Sequence, residues 1–543
     1  MLKFFTPLVM VLMAMVSATM SLRAETTVSG KPLLTLTDRI VFVGDSITGQ
    51  GGNGGANGWV GIIGAALKAK DPANQQTLVA LGGSGQTVSG WVNVEKKSRT
   101  ASSFLDVKAF DVQAELNKPA DVVVIMLGMN DVLSPSLKGD EAGYAKWVEN
   151  YRTLITALRE RTKPRVIALA TPTPCTEDPA APKNLVMDRM VEHLAKLAAE
   201  ENCVLLPTRA ATWEVFAMGR RKQPDFHFTT DQVHPNLFGH LSIAAGMLRG
   251  LGESKAAQSV LERAAQEADK RADASGVSYE VALAPDTKPG STMVSFMIRA
   301  YHGDGKIELV TPTGWKVTSS RSGKDGTDFV VTVAADGFAR LNSLTLKSAK
   351  GSREISIPAP WWVGTGNIGW VGWSSSVFSP EKGRLPPDEL VRTGVDFVRD
   401  AGTQELKAGT PVVWKPFVGG VNYGGAGSPS VVDFAAVTYF SGGEVGYGLR
   451  WVKSDKERAV VVKITRPGFA GTSHLALWVN GETVYAGAPE KARGQDFSVK
   501  LKAGWNLVSF KSNFQQWQWQ LGIDLLPVDG DSLDALRYSI VPR

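Results

Sequence analysis

Short apolar runs alternate with helical segments throughout the first half of this chain. The runs are rich in Val, Ile, Leu and Ala, which is typical of strands that are buried on both faces. Strands that alternate with helices in this way pair in parallel and are covered by helices on both sides. The predicted strands are 39–43, 76–81, 122–127, 165–170 and 203–207, and the predicted helices are 59–69, 144–161, 183–201 and 237–250. The pattern therefore predicts an α/β fold with a five-stranded parallel sheet.

Polar or glycine-rich segments follow the first three predicted strands. They are Gly44-Asp45-Ser46-Ile47, Gly82-Gly83-Ser84-Gly85 and Gly128-Met129-Asn130-Asp131. Open α/β sheets bind ligands at the carboxyl ends of their strands, so a hydroxyl nucleophile and two kinds of N–H donor can meet at this edge. Each segment also has a structural explanation: Ser46 can cap a helix, and Asn130 can form a turn. A phosphate-binding glycine loop is disfavoured, because no Lys-Ser or Lys-Thr pair follows the glycines.

The segment Asp231-Gln232-Val233-His234 contains a candidate acid–base pair. Pro235 follows the histidine and restricts it to an extended backbone. Asp231 can hydrogen-bond one ring nitrogen of His234 and leave the other free to accept a proton from Ser46. Among the six histidines, His227 is the nearby competitor, and the motif favours His234. The remaining four are predicted to be structural.

The four segments, taken in order, resemble the motif blocks of the SGNH, or GDSL-type, hydrolase superfamily. The resemblance covers residues 35–251 and implies a flavodoxin-like three-layer domain. It also implies that Ser46 is the nucleophile and that Asp231 and His234 complete a catalytic triad. The first block reads Gly-Asp-Ser-Ile where Gly-Asp-Ser-Leu is usual, which is a conservative change.

The same resemblance implies an oxyanion hole and no cofactor. The expected donors are the backbone N–H groups of Ser46 and Gly85 and the side-chain amide of Asn130. Ala80 stands where the family often has Asn, so Gly82 is an alternative to Gly85. No Cys/His cluster has the spacing of metal ligands, so no metal is expected.

The N-terminus resembles a secretory signal peptide. Lys3 precedes an apolar run over 4–16, and cleavage after Ala24 would remove residues 1–24. We therefore expect a secreted or periplasmic protein, with an uncleaved anchor as the alternative. No later stretch is long and apolar enough to span a membrane. The net charge of +6 is mild and includes no dense basic run, so no nucleic-acid partner is expected.

The two cysteines are not expected to form a disulfide, although secretion would permit one. Cys175 follows the fourth predicted strand and Cys203 begins the fifth, so they lie at opposite edges of the sheet. Parallel strands of this length would hold them roughly 15 Å apart, beyond the reach of a disulfide.

The chain changes character after residue 252. We predict a hydrolase domain over 25–252 and a helical linker over 253–274. Short alternating runs then predict an immunoglobulin-like β-sandwich over 275–358. Residues 359–543 resemble the galactose-binding-like jelly-roll modules of carbohydrate-active enzymes. Ten of the fifteen tryptophans lie in this last region, either as platforms for sugar rings or as buried core.

These features together predict a secreted serine esterase that removes an acyl group, expected to be acetyl, from a carbohydrate. The expected partner is the acylated carbohydrate, with no nucleic acid and no membrane beyond the signal segment. Two alternatives stay open: a non-catalytic carbohydrate-binding or scaffold protein, and a lipid or thioester hydrolase of the same superfamily. If the C-terminal region only tethers the enzyme to a polymer, its removal would spare activity on small esters.

Overall fold

A computed structural model describes most of the chain beyond its N-terminal segment. The predicted signal peptide, 1–24, lies outside the described residues. No helix in the described part of the chain is long and apolar enough to cross a membrane. The described residues are 32–92, 103–133, 137, 139–272, 274–284, 291–302, 305–323, 326–367, 413–419, 431–439, 444–467, 472–492, 494–514, 519–528 and 531–541.

The first half forms a parallel five-stranded sheet with helices, and this confirms the predicted fold class. The strand order is β2-β1-β3-β4-β5. The strands are β1 Arg39–Asp45, β2 Thr77–Gly83, β3 Val122–Met126, β4 Val166–Ala170 and β5 Val204–Leu206. The helices are α1 Ser46–Asn53, α2 Trp59–Lys70, α3 Val88–Val92, α4 Val112–Leu116, α5 Met129–Leu133, α6 Glu141–Thr162, α7 Pro182–Glu200, α8 Thr208–Arg220, α9 Leu237–Gly250 and α10 Ser254–Asp269. We refer to this part as the α/β region.

The carboxyl ends of β1, β2 and β3 are level with one another. Gly44 of β1 pairs with Gly82 of β2 on one side and with Met126 of β3 on the other. Strands β1 and β2 both run two residues further than the sequence predicts, because the glycines at their ends continue the ladder. This register places the segments after β1, β2 and β3 at one edge.

The three central strands, β1, β3 and β4, are buried on both faces, as a continuous run of apolar residues requires. Val41, Val123, Ile125 and Leu169 have no exposed surface. Helix α10 belongs to the same core, since Ala257, Val260 and Ala264 on its apolar face are buried there. The predicted linker over 253–274 is therefore a helix that packs against the α/β region.

Antiparallel sheets make up the rest of the described chain. The first β region has two sheets, with strand orders β6-β7-β10-β9 and β12-β11-β8. The second β region also has two sheets. One has the order β14-β13-β16-β21-β18-β19, with β23 beside β16, and the other has the order β15-β22-β17-β20. The strands are β6 Val277–Leu283, β7 Met293–His302, β8 Glu308–Val310, β9 Lys316–Gly323, β10 Gly326–Ala334, β11 Leu341–Ser348, β12 Gly351–Pro358, β13 Trp361–Asn367, β14 Val413–Phe417, β15 Val431–Asp433, β16 Glu444–Ser454, β17 Arg458–Pro467, β18 Thr472–Val479, β19 Glu482–Gly487, β20 Asp496–Leu501, β21 Gly504–Phe514, β22 Gln520–Pro527 and β23 Arg537–Ser539, with a short helix α11 Pro489–Ala492.

The two β regions share one continuous cluster of buried apolar side chains, which runs from Val277 to Val541. An ion pair of 2.8 Å between Arg340 and Asp524 also joins them. The proposed division at residue 358 coincides with the end of β12 and stays a prediction.

Most of the described tryptophans of the last region lie in its core. Trp361, Trp362, Trp451, Trp478 and Trp519 are at most 5% exposed. The ring of Trp519 stacks on Phe434 with centroids 4.3 Å apart. Trp361, Trp362, Trp451 and Trp519 belong to the apolar cluster inside the sandwich, and Trp478 is buried outside that cluster. None of the five is therefore exposed as a platform for sugar rings. Trp370, Trp373 and Trp517 lie outside the described residues.

Both cysteines are free. Cys175 follows β4 and is buried, and burial raises the pKa of its thiol to about 11. Cys203 lies directly before β5 and is half-buried.

Candidate active site

Ser46 is the first residue of α1 and follows β1 without a loop. The side chain of Asp45 caps this helix, because its Oδ1 accepts a hydrogen bond of 2.9 Å from the Ile47 N–H. The Ser46 hydroxyl is therefore not needed as the cap. Its Oγ lies 2.9 Å from the Nε2 atom of His234 instead. The structure thus separates the capping residue from the candidate nucleophile, which the sequence left as alternatives.

His234 and Asp231 form a hydrogen-bonded pair within one tight turn. The Nδ1 atom of His234 lies 2.7 Å from Asp231 Oδ2. Asp231 Oδ1 accepts bonds from the backbone N–H groups of Val233, at 3.1 Å, and His234, at 2.7 Å. These backbone bonds fix the carboxylate, so the imidazole carries its proton on Nδ1 and presents Nε2 to Ser46.

The electrostatics of this pair suit a general base. The hydrogen bond that His234 donates to Asp231 raises the pKa of His234 above its ordinary value, against the opposing effect of partial burial. Burial alone would raise the pKa of Asp231, but the hydrogen bonds from His234 outweigh it and lower that pKa. Asp231 is therefore ionised when His234 accepts a proton, and its charge stabilises the imidazolium.

The other described histidine side chains lie away from Ser46. His227 places its Nδ1 atom 2.8 Å from the backbone carbonyl of Asp225, so it does not join the pair. His193 stacks on Tyr144 in the helical layer. Burial lowers the pKa of His240 to about 4, as expected for a neutral structural side chain.

Gly85 and Gly82 play different structural roles. Gly85 has a φ of +71°, and a Cβ atom there would meet nothing within 4 Å. Its backbone is therefore open to a ligand. A Cβ atom on Gly82 would collide with the backbone of Gly49 in α1, so this glycine lets β2 and α1 approach closely. The geometry favours Gly85 over Gly82 as the donor.

Asn130 lies in α5 and is 8% exposed. Its Nδ2 atom donates to the backbone carbonyl of Gln86 at 3.0 Å. Because Gln86 follows Gly85 directly, this bond ties the segment after β3 to the segment after β2. The two expected oxyanion donors are thereby held in a fixed relation to each other.

Two buried carboxyl groups support the site, and the sequence analysis assigned no role to them. Asp45 and Asp131 are 2% and 4% exposed. Burial raises the pKa of each to about 7, and the negative charge of Asp45 adds to the effect on Asp131. Asp131 accepts long hydrogen bonds of 3.3 and 3.4 Å from the Val88 N–H. Asp45 directly precedes Ser46 and Asp131 directly follows Asn130, and this adjacency was the sequence signal that could have identified them.

The loop before His234 is anchored at several points. Glu177, 5% exposed, accepts hydrogen bonds from both the backbone N–H and the hydroxyl of Thr229. The backbone N–H of Thr176 donates to the carbonyl of Gln232 at 2.7 Å. Gln232 itself has a φ of +72°, a conformation that favours glycine. The loop is therefore held in a strained shape by its surroundings.

The described residues include no group of three or more His, Cys, Asp or Glu side chains that could hold a metal ion. The side chains and backbone groups named above meet at this edge. They supply a hydroxyl with a neighbouring imidazole, a carboxylate behind it and N–H donors at two adjoining loops.

Comparisons with known proteins find similarity in the region that carries this edge. Residues 42–241 match the GDSL-like Lipase/Acylhydrolase family. An acetylxylan esterase of Geobacillus stearothermophilus is 28% identical over 230 residues, which are 40% of this chain and 94% of that protein. The crystal structure of a catalytic mutant of Axe2, an acetylxylan esterase from the same organism, matches at 26% identity and a TM-score of 0.30, over 40% of this chain and 94% of that one. The structure of LAE5, an alpha/beta hydrolase enzyme from the metagenome of Lake Arreo, matches at 23% identity and a TM-score of 0.32, over 41% of this chain and 99% of that one.

Proposed function

We propose that this protein is a secreted serine esterase that removes acetyl groups from a polysaccharide. The match of residues 42–241 to the GDSL-like Lipase/Acylhydrolase family and the 28% identity to an acetylxylan esterase support this proposal. The observation that carries the proposal is the unbroken chain from Ser46 Oγ to His234 Nε2, at 2.9 Å, and from His234 Nδ1 to Asp231 Oδ2, at 2.7 Å. A hydroxyl, an imidazole and a carboxylate in this order form the machinery of acyl transfer.

The geometry supports a two-step reaction. His234 Nε2 takes the proton of Ser46 as Oγ bonds to the ester carbonyl carbon, and the carbonyl oxygen becomes an oxyanion. The N–H groups of Ser46, Gly85 and Asn130 stabilise that charge. His234 then protonates the departing alcohol as the ester bond breaks, which leaves an acyl-Ser46 intermediate. Water, deprotonated by His234, attacks this intermediate and releases the carboxylic acid.

Two observations favour an acetylated polysaccharide as the substrate. The curated relative with 28% identity is described as an acetylxylan esterase, and this chain covers 94% of its length. The N-terminal segment has the features of a signal peptide, which would take the enzyme to an extracellular polymer. We therefore propose an acetylated plant or algal polysaccharide, with acetylated xylan as the first substrate to test.

Acetate release from a panel of acetylated polysaccharides tests the substrate, and Ser46→Ala tests the nucleophile. We expect the variant to lose several orders of magnitude in rate, because the triad acts as a unit. Ser259→Ala in α10 is the matched control and should retain activity, since its hydroxyl donates to the Ala256 carbonyl within its own helix. Substantial acetate release by purified Ser46→Ala protein would refute the assignment.

Two further measurements separate the alternatives. A serine-directed organophosphonate should form a covalent adduct on Ser46 in the folded protein, and its failure to react would favour a non-catalytic binding protein. A chain-length series of acyl esters should favour acetyl, and a preference for long acyl chains would favour a lipid hydrolase. Sequencing of the exported protein should give Glu25 as its first residue.

A further inference from the structure

A short segment of the C-terminal region contacts the α/β region at two places, the loop that carries Asp231 and His234 and the loop that follows the helix of Asn130. We call residues 433–439 the docking segment. It begins with the last residue of β15, continues through a single helical turn at Phe434–Ala436 and ends at Tyr439. Its two ends contact different loops of the α/β region, one beside His234 and one after Asn130.

Asp433 contacts the loop that carries the acid–base pair. Its Oδ2 atom accepts a hydrogen bond of 3.0 Å from Gln232 Nε2 and one of 2.7 Å from Gln520 Nε2. Asp433 is 4% exposed, so this contact is shielded from water. Gln520 pairs with Asp433 across β15 and β22, and the carboxylate is therefore fixed within the C-terminal region before it meets Gln232.

Tyr439 contacts the loop after α5. Its hydroxyl donates to the backbone carbonyl of Leu137 at 2.6 Å. Its ring lies against Gly139, where a Cβ atom would come within 3.3 Å of the ring. Leu137 is buried, and Tyr439 packs against the core of the α/β region. The docking segment is thus attached at two points about the site.

Gln232 is the residue through which this attachment reaches the site. It stands between Asp231 and His234 in a left-handed conformation that a side chain other than glycine adopts only under constraint. Three contacts supply the constraint: its N–H donates to Thr229 Oγ1, its carbonyl accepts from Thr176, and its side chain donates to Asp433. The first two come from the α/β region, and the third comes from the C-terminal region.

We propose that Asp433 is a positioning residue for the acid–base pair, so that the C-terminal region completes the active site. The inference rests on the proposed function for its meaning in catalysis. By holding Gln232, Asp433 fixes the turn in which Asp231 faces His234 and His234 faces Ser46. Misplacement of a catalytic base by about 1 Å can cost roughly a hundredfold in rate.

This role differs from that of a tethered sugar-binding module. A tether raises the local concentration of polymer and leaves the chemical step unchanged. A positioning contact affects the chemical step on every substrate. Loss of the contact should therefore reduce turnover of a small soluble ester as much as turnover of acetylated xylan.

The test is Asp433→Ala in the full-length protein, with para-nitrophenyl acetate as substrate. We expect kcat per active site, counted by organophosphonate titration, to fall roughly tenfold or more, with little change in KM. Asp433→Asn keeps an oxygen that can accept from Gln232 and should recover most of the rate. Arg340→Ala is the matched control: it breaks an ion pair between the two β regions at 2.8 Å and should leave kcat unchanged.

A second variant and a second measurement test the same contact independently. Gln232→Ala removes the same contact and leaves the bond between Gln520 and Asp433 intact, so it should lower kcat to a similar extent. The proton on His234 Nδ1, observed by NMR with isotope-labelled histidine, should broaden or shift in both variants. Wild-type kcat and an unchanged His234 resonance in both would overturn the proposal. Absence of esterase activity in the wild type would refute the proposed function, while the His234 resonance would still test Asp433.

Discussion

The buried carboxyl of Asp45 gives a pH-dependent prediction for stability. Asp45 caps α1 and is 2% exposed, and burial raises its pKa from 3.8 to about 7. A raised pKa means that the folded state resists ionisation, so folding loses stability as pH rises from the unfolded pKa to the folded one. Asp45→Asn removes the charge and keeps a side chain that can cap the helix. The variant should therefore become more stable than the wild type as pH rises.

The size of the effect follows from the two pKa values. At about 1.36 kcal/mol per pH unit, moving a carboxyl pKa from 3.8 to about 7 costs about 4 kcal/mol once both states are ionised. Between about pH 5 and pH 8 the advantage of Asp45→Asn should grow by about 2–3 kcal/mol. Asp131, whose pKa is also raised to about 7, titrates together with Asp45 and spreads the change over a wider pH range.

Unfolding of the α/β region in urea is the appropriate assay, because the described part of the chain contains two separate hydrophobic cores. Labelling of the buried thiol of Cys175 reports that region, in a background where the half-buried Cys203 is replaced by serine. Asp38→Asn is the matched control, for which the pH dependence of stability should have the opposite sign. Hydrogen bonds from Thr35 and the Arg165 ion pair outweigh burial and lower the Asp38 pKa, so this variant should lose stability at neutral pH and recover in acid. A stability difference for Asp45→Asn that stays flat or shrinks with rising pH would refute the reasoning.

Three further predictions concern the triad and its support. In a pH–rate profile, wild-type kcat/KM should fall on the acid side as His234 becomes protonated, with a pKa above 6.5. Asp231→Asn should move this acid-side fall to lower pH and reduce kcat by roughly three to four orders of magnitude. Gly82→Ala should lower the free energy of unfolding by about 1–3 kcal/mol in the urea assay, because the added methyl group would collide with α1. An unchanged urea midpoint would contradict the close approach of β2 to that helix. Arg209→Ala should lower the free energy of unfolding by about 2–4 kcal/mol in the same urea assay, because Arg209 is 4% exposed and its guanidinium pairs with Asp188 at 2.8 Å. A loss below about 1 kcal/mol would show that this ion pair does not stabilise the fold.

Local sequence signals were sufficient for the sheet and for the three side chains, Ser46, Asp231 and His234, that meet at its edge. An apolar run that ends in glycine marks both a buried strand and the position of its carboxyl end. Since parallel strands share one active edge, Ser46, Asn130 and the glycine segment were expected to lie together. The motif Asp231-Gln232-Val233-His234 placed the acid–base pair within a single turn, where Asp231 Oδ2 does reach His234 Nδ1 at 2.7 Å.

Other features depend on which surfaces pack together, and a local pattern does not contain that information. Only the folded chain shows that Asp45 caps α1 and leaves the Ser46 hydroxyl to face His234. The distinction between Gly82 and Gly85 likewise required the approach of α1 to β2. The alternation of residues along the strands did not decide whether the tryptophans of the last region are sugar platforms or core. The packing of the two sheets buries Trp361 and Trp519 between them.

The sequence by itself determined the α/β sheet, the edge that carries the candidate site and the residues that meet there, because strand ends and tight turns are set by neighbours along the chain. The tertiary structure decided the burial that raises the pKa values of Asp45 and Asp131. It also decided the contact between Gln232 and Asp433, whose partners are 201 residues apart. No spacing rule connects such distant residues, because they meet only where two separate hydrophobic cores lie against each other.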